Sequence, residues 1–194
     1  MNSLSMRRRV LVALLAAAPL LATQWPSGAV AATPDPENTL YIDLKDGRVV
    51  VQLLPDLAPK QVARIKELAR QHFYDGTPFH RVIDGFMAQG GDPTGTGTGG
   101  SKLPDLPAEF TNNRKFLRGT LGAARTSDPN TANSQFFIMF APAPSLDGQY
   151  TIFGQVVSGM QFVDQIKHGD SADNGKVSNP DKIVHMQVAA DAKG

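Results

Sequence analysis

Two alternating runs joined by Asp46-Gly47 constrain this chain more than any other feature. Thr39 to Lys45 carries Leu40, Ile42 and Leu44 on one face and Tyr41, Asp43 and Lys45 on the other. Arg48 to Leu54 repeats the pattern with Val49, Val51 and Leu53. A period of two, interrupted by Asp-Gly, predicts a β-hairpin with one buried face. Pro55 stops the second strand because proline offers no N–H to a ladder. Further short apolar runs at 79–90, 119–125, 135–140, 150–157 and 183–188 are separated by glycine and proline. The 18 Gly and 14 Pro, together about a sixth of the chain, fit a turn-rich β protein. Two segments have helical spacing instead. Pro59 to Gln71 groups Val62, Ile65, Leu68 and Ala69 on one face, with Pro59 suited to the first turn. Ser158 to about Lys167 is the second, with Ser158 as expected N-cap and Gly169 as terminator. The expectation is a mainly β domain, a closed antiparallel barrel capped by two helices.

The N-terminus reads differently. Arg7, Arg8 and Arg9 precede a 12-residue apolar run, Val10 to Leu21, too short to span a bilayer. Ala29-Val30-Ala31 places small residues at a cleavage site, so residues 1–31 are expected to be a secretory signal peptide. The arginine pair leaves Sec and Tat export open. The expected divisions are 1–31 signal peptide, 32–38 extended and mobile lead-in, 39–190 folded domain and 191–194 tail. After cleavage, 16 basic and 18 acidic residues give a net charge of −2, against +1 for the whole chain. Neither value suggests nucleic acid as a partner. The chain has no cysteine, which excludes disulfides, thiolate chemistry and iron–sulfur ligation. The expected location is the periplasm or outside the cell, with no membrane association after cleavage and a monomer as the default state.

Several motifs are decoys. Gly95 to Gly100 matches G-x-G-x-x-G by spacing, but Pro93 precedes it and Pro104 and Pro107 follow. A dinucleotide site needs a strand before it and a helix opening within it. The segment is therefore expected to be a flexible surface loop at the rim of a groove. His72, His80, His168 and His185 are scattered without ligand spacing, so no metal site is expected. No G-x-S-x-G elbow is present.

Three segments carry the chemistry. They are Phe79-His80-Arg81-Val82-Ile83 running on to Gly85-Phe86-Met87-Ala88-Gln89-Gly90-Gly91-Asp92, then Asn133-Ser134-Gln135-Phe136-Phe137-Ile138, then Leu146-Asp147-Gly148-Gln149-Tyr150-Thr151-Ile152-Phe153-Gly154. Alternation puts Gln135 and Phe137 on one face. An arginine beside aromatics on a strand is read either as an exposed outer-face residue or as part of a site. In order and spacing these segments resemble the cyclophilin family of peptidyl-prolyl cis–trans isomerases, from about Thr39 to Val188, and the expected signal peptide makes the chain similar to exported bacterial members. The resemblance implies an eight-stranded antiparallel barrel closed by two helices, and an isomerase that needs no metal or cofactor. It implies a catalytic role for Arg81, with His80 in the groove and Gln89 bracing the arginine. Phe86, Met87, Phe137 and Leu146 are expected to wall a proline pocket. Ala124, Arg125 and Gln135 are expected to line the substrate backbone and an adjacent subsite, Tyr150 to stand where many members have histidine, and Gly97 to lie on the rim.

The resemblance also implies partners: proline-containing peptides and unfolded exported proteins. Ser145 stands where many members carry a tryptophan that hydrogen-bonds cyclosporin, so weak or no cyclosporin binding is expected. Arg125 replaces a common asparagine and is expected to favour acidic residues near the proline. Ala123, where methionine is frequent, is expected to widen the pocket. Two other readings are a non-catalytic proline-peptide binding module or holdase on the same fold, and a structural role in an envelope complex. Arg81 with Gln89 distinguishes the isomerase from the binding module.

Overall fold

The computed structural model describes residues 35–193. The expected signal peptide and the first residues of the lead-in lie outside them. The rest of the lead-in folds rather than running extended: Pro36–Asn38 forms a 3-10 turn capped by the Asp35 carboxylate. Glu37 in that turn pairs with Lys66 and Arg70, each at 2.9 Å.

The hairpin forms as its pattern requires. Strand β1 (Thr39–Leu44) pairs with β2 (Gly47–Leu53), and Leu40, Ile42, Val49, Val51 and Leu53 are almost fully buried. Helix α1 (Pro59–Arg70) lays Val62, Ile65, Leu68 and Ala69 onto that core. Six further strands follow: β3 (Arg81–Ile83), β4 (Met87–Gly90), β5 (Thr120–Ala123), β6 (Phe136–Met139), β7 (Ile152–Ser158) and β8 (His185–Val188). All eight belong to one antiparallel sheet in the order β3-β4-β6-β5-β7-β2-β1-β8.

Two expectations are corrected. The sheet is a curled half-barrel, and among the described residues no ladder joins its end strands β3 and β8. The free edge of β3 is occupied by a loop instead: the Val82 N–H donates to Gly175 O at 2.8 Å, and the Gly169 N–H donates to Val82 O at 2.9 Å. An isolated bridge, Pro78 to Lys182, links only the segments leading into the two end strands. A covered edge leaves no unpaired backbone for a further strand. The second helix, α2 (Met160–Asp164), is shorter than expected. Ser158 ends β7, and Gly159, at φ 82°, turns the chain into α2 from the left-handed region that favours glycine.

Candidate active site

The site is a row across the sheet. Cα pairing sets Arg81 of β3 opposite Gln89 of β4, Gln89 opposite Phe137 of β6, and Phe137 opposite Gly122 of β5. Residues paired across antiparallel strands share a face, so one row carries a cation, an amide, an aromatic ring and a glycine. A tight turn sets the register of the first pair. The Phe86 N–H donates to Ile83 O at 3.1 Å, and Gly85 takes φ 67°, which a side chain would disfavour. Gly122 serves by lacking a side chain. A Cβ there would lie 2.3 Å from the Phe137 ring and 2.8 Å from Phe116, so its absence lets Phe137 lie flat against the sheet. Phe137 stacks on Phe116 with centroids 5.7 Å apart and meets the Tyr150 ring edge-on.

Over this row lies a cleft of about 220 Å³, lined by Arg81, Phe86, Met87, Gln89, Ala124, Arg125, Phe137, Leu146 and Tyr150. Nine of the twelve residues singled out in the sequence thus meet at one place. Gln135 and Gly97 line the neighbouring cavity of about 420 Å³, which adjoins the cleft through Gln89, Ala124 and Arg125. His80 is the exception. It is buried and lines a third recess, with Arg81, Gln89, Gly97 and Asn174. Neither of its ring nitrogens has a partner, and burial holds its pKa below the usual histidine range, with Asp92 acting in the opposite direction. The ring is thus enclosed, yet it faces a recess that shares Arg81 and Gln89 with the cleft. Ala123 is corrected: it faces the core beside Phe136, not the cleft, and does not widen it.

Arg81 is held on three sides. Its Nε donates to Asn174 O at 3.0 Å, Nη2 to Asn174 Oδ1 at 2.9 Å, and Nη1 to Gln89 Oε1 at 3.3 Å, with Met87 Sδ at 3.9 Å. Gln89 Nε2 in turn donates to Gln135 Oε1 at 2.9 Å. Gln135 Nε2 donates to Gly97 O and Gly99 O at 3.0 and 2.8 Å. The chain of bonds runs from the cation to the glycine loop. Every acceptor on Arg81 is neutral, so the guanidinium is oriented without its charge being cancelled. Burial lowers its pKa, with Tyr150 opposing, but a guanidinium remains protonated at neutral pH. A second guanidinium closes the far side: Arg125 stacks over Tyr150 at 4.3 Å and donates to Gln149 O at 2.8 Å.

The sequence reading missed Asn174 and Asp92. Asn174 sits at φ 51°, 93 positions from Arg81; the Asn-Gly pair at 174–175 marks a turn but not its partner. Asp92 organises the glycine loop, which is tethered rather than free. Its Oδ1 accepts from the Thr94 N–H and hydroxyl, both at 2.8 Å, and its Oδ2 from the N–H groups of Gly97 and Gly99 at 2.7 and 3.1 Å. Burial raises its pKa, but the Thr94 hydroxyl and the three amides outweigh that and hold it below the usual aspartate range. The expectation that the histidines lie apart is also corrected: His72 and His185 meet across Asp75, because the turn after α1 packs against β8.

The family model described as cyclophilin type peptidyl-prolyl cis-trans isomerase/CLD matches residues 39–188. A probable peptidyl-prolyl cis-trans isomerase of Brucella suis is 54% identical over 190 residues, covering 92% of this chain and 96% of that protein. Peptidyl-prolyl cis-trans isomerase B of Bacillus subtilis is 43% identical over 134 residues, 69% of this chain and 93% of that one. Among solved structures, cyclophilin AquaCyp293 from Hirschia baltica superposes with a TM-score of 0.73 at 26% identity, covering 82% of this chain and 76% of that one. A cyclophilin-type isomerase of Cryptosporidium parvum, determined in the presence of the dipeptide Ala-Pro, gives 0.71 at 32% identity, over 77% and 98% of the two chains.

Proposed function

The chain belongs to the cyclophilin-type peptidyl-prolyl cis–trans isomerases, and from that premise we propose that Arg81 is its catalytic residue and the cleft over Phe137 its proline site. The observation that carries this reading is a guanidinium fixed by neutral acceptors at the wall of a cleft that it shares with Phe86, Met87, Phe137 and Leu146. The proline ring packs against Phe86, Met87, Phe137 and Leu146. Holding the ring still lets the acyl group on the other side of the bond rotate.

Rotation about X-Pro crosses a barrier of about 18–20 kcal/mol because it breaks amide resonance. Uncatalysed exchange takes tens to hundreds of seconds. At the twisted geometry the prolyl nitrogen regains its lone pair and can accept a hydrogen bond it cannot accept when planar. An N–H of Arg81 aimed there stabilises the transition state and not the ground state. Each ~1.4 kcal/mol so gained is tenfold in rate. Gln89 and Asn174 are positioning residues that fix the guanidinium plane, and a proline ring seated on Phe137 shields that interaction from water. Ala124, Arg125 and Gln135 receive the residues flanking the proline, with Arg125 favouring an acidic one. Ser145 is too short to supply a donor to cyclosporin, so the drug binds weakly.

The cell role that fits is the folding of exported proteins after removal of residues 1–31, with clients recognised by little beyond proline. The test is exchange spectroscopy by NMR on a short X-Pro peptide, with the parent chain and Arg81→Ala. Fast exchange in the parent, largely lost in the variant, is the expected result. Binding of the peptide without faster exchange would overturn the catalytic reading of the cleft in favour of a binding module.

A further inference from the structure

Away from the cleft, the turn after α1 meets the end strand β8 in an arrangement the isomerase does not use. His72 follows the last residues of α1 at φ 55°, a left-handed conformation uncommon for side chains other than glycine but tolerated by histidine. Asp75 lies three residues on. The Met186 N–H donates to its Oδ1 at 2.9 Å, which fixes the carboxylate and leaves Oδ2 to the histidines. Two imidazole nitrogens converge on that one oxygen: His72 Nδ1 at 3.2 Å and His185 Nδ1 at 2.8 Å. The two rings stack at 5.4 Å with 22° between their planes. All three donor atoms lie within 4.8 Å of one another.

We propose that His72, Asp75 and His185 form a binding site for a borderline divalent transition-metal ion, Zn²⁺ above all, distinct from the proline cleft. Two imidazoles and a carboxylate are a donor set that Zn²⁺ takes in four-coordinate sites, with water in the fourth position. Bonds of about 2.0–2.2 Å at tetrahedral angles place donor atoms roughly 3.3–3.5 Å apart. The separations to Asp75 are 3.2 and 2.8 Å, so small side-chain rotations open the set to an ion. The Met186 N–H is the kind of outer hydrogen bond that orients a ligating carboxylate. Access is open, because the His72 side chain is 69% exposed and the other two are 30% exposed. Across the strand the partner of His185 is Asp43, which also engages Arg48 at 2.7 Å. Imidazole ligation selects Zn²⁺, Cu²⁺ or Ni²⁺ over Mg²⁺ and Ca²⁺. The ion would clamp the end of α1 to an end strand of the sheet, so its effect is on stability and not on turnover.

The test uses the full chain without an affinity tag, stripped by chelator and titrated with Zn²⁺ by calorimetry, with melting curves in Zn²⁺ and in Mg²⁺. One ion per chain is expected, with a rise in Tm of about 5–10 °C at a hundredfold excess over Kd. Mg²⁺ leaves Tm where it was. X-Pro exchange is the same with and without Zn²⁺. His72→Asn keeps a residue that tolerates the left-handed backbone, and it abolishes the Zn²⁺ shift, as does His185→Asn. Zinc-edge absorption spectra show two imidazoles in the first shell. Absence of binding at millimolar Zn²⁺, an equal shift with Mg²⁺, or a Zn²⁺ shift that survives in His72→Asn would each overturn the proposal. If His185→Asn fails to fold, His72→Asn alone decides.

Discussion

Two neighbouring rows of the same four strands have opposite fates. Val82, Ala88, Ile138 and Leu121 form one, each fully buried in the core. One residue along, Arg81, Gln89, Phe137 and Gly122 form the other, and it carries the cleft. The pleat sends successive side chains to opposite faces, so a shift of one residue separates a dry interior from a working surface. Phe136 and Phe137 show the contrast most directly: the first is packed with Tyr74 and Phe79, the second floors the proposed proline site.

If the two rows are separate in function, truncations on each should have separable effects. The largest is expected from Phe136→Ala, which empties a closed part of the core and costs about 3–5 kcal/mol in urea unfolding. The variant that remains folded keeps its turnover. Arg81→Ala is the converse, lowering kcat/KM by roughly 10²–10³ as the loss of one transition-state donor does, with the unfolding midpoint nearly unchanged. A large stability loss in Arg81→Ala would erase the distinction between the rows. Asn174→Gly sharpens it: glycine tolerates the left-handed backbone and keeps the carbonyl that Arg81 Nε reaches, so only the bond from Nη2 is lost. About a tenfold drop in kcat is expected, on the scale of one hydrogen bond to a charged group. Gly122→Ala pushes Phe137 toward the cleft and is expected to raise KM several-fold, and because its Cβ would also meet the buried Phe116 it lowers stability by about 1–3 kcal/mol.

The smallest effect is a pH response. His80 has a folded-state pKa below its unfolded value near 6.5. Its contribution to stability is complete above that pH and is lost as pH falls from there toward the folded value. Melting curves between pH 8 and pH 5, compared with those of His80→Gln, check this. Turnover of the protein that stays folded should not follow the same curve, because Arg81 remains charged throughout that range.

The legible parts of the molecule were those that local chemistry decides. The Asp46-Gly47 hairpin, the apolar stripe of α1 and the positions of most strands follow from periods of two and 3.6. The cleft was legible because Arg81, Gln89 and Phe137 sit in motif segments that fix their strand positions, and the register aligns them. What escaped was contact between segments distant in the chain. Nothing near Asn174 announces that it meets Arg81, and His72 and His185 look isolated until a helix end and a strand bring them to Asp75. Sheet closure was overstated for the same reason. Whether the β3 edge pairs with a strand or a loop is settled by where residues 169–177 run, which strand patterning does not specify.

The tethered glycine loop also explains why its G-x-G-x-x-G spacing misleads. Convergent backbone N–H groups of this kind form anion-binding nests, the device by which other folds hold phosphate. Here the nest is occupied from within, since the Asp92 carboxylate takes the amides of Thr94, Gly97 and Gly99. A nucleotide would have to displace a covalently attached competitor that is always present. The protein has turned a phosphate-like cradle inward, spending its affinity for anions on the rigidity of a groove rim.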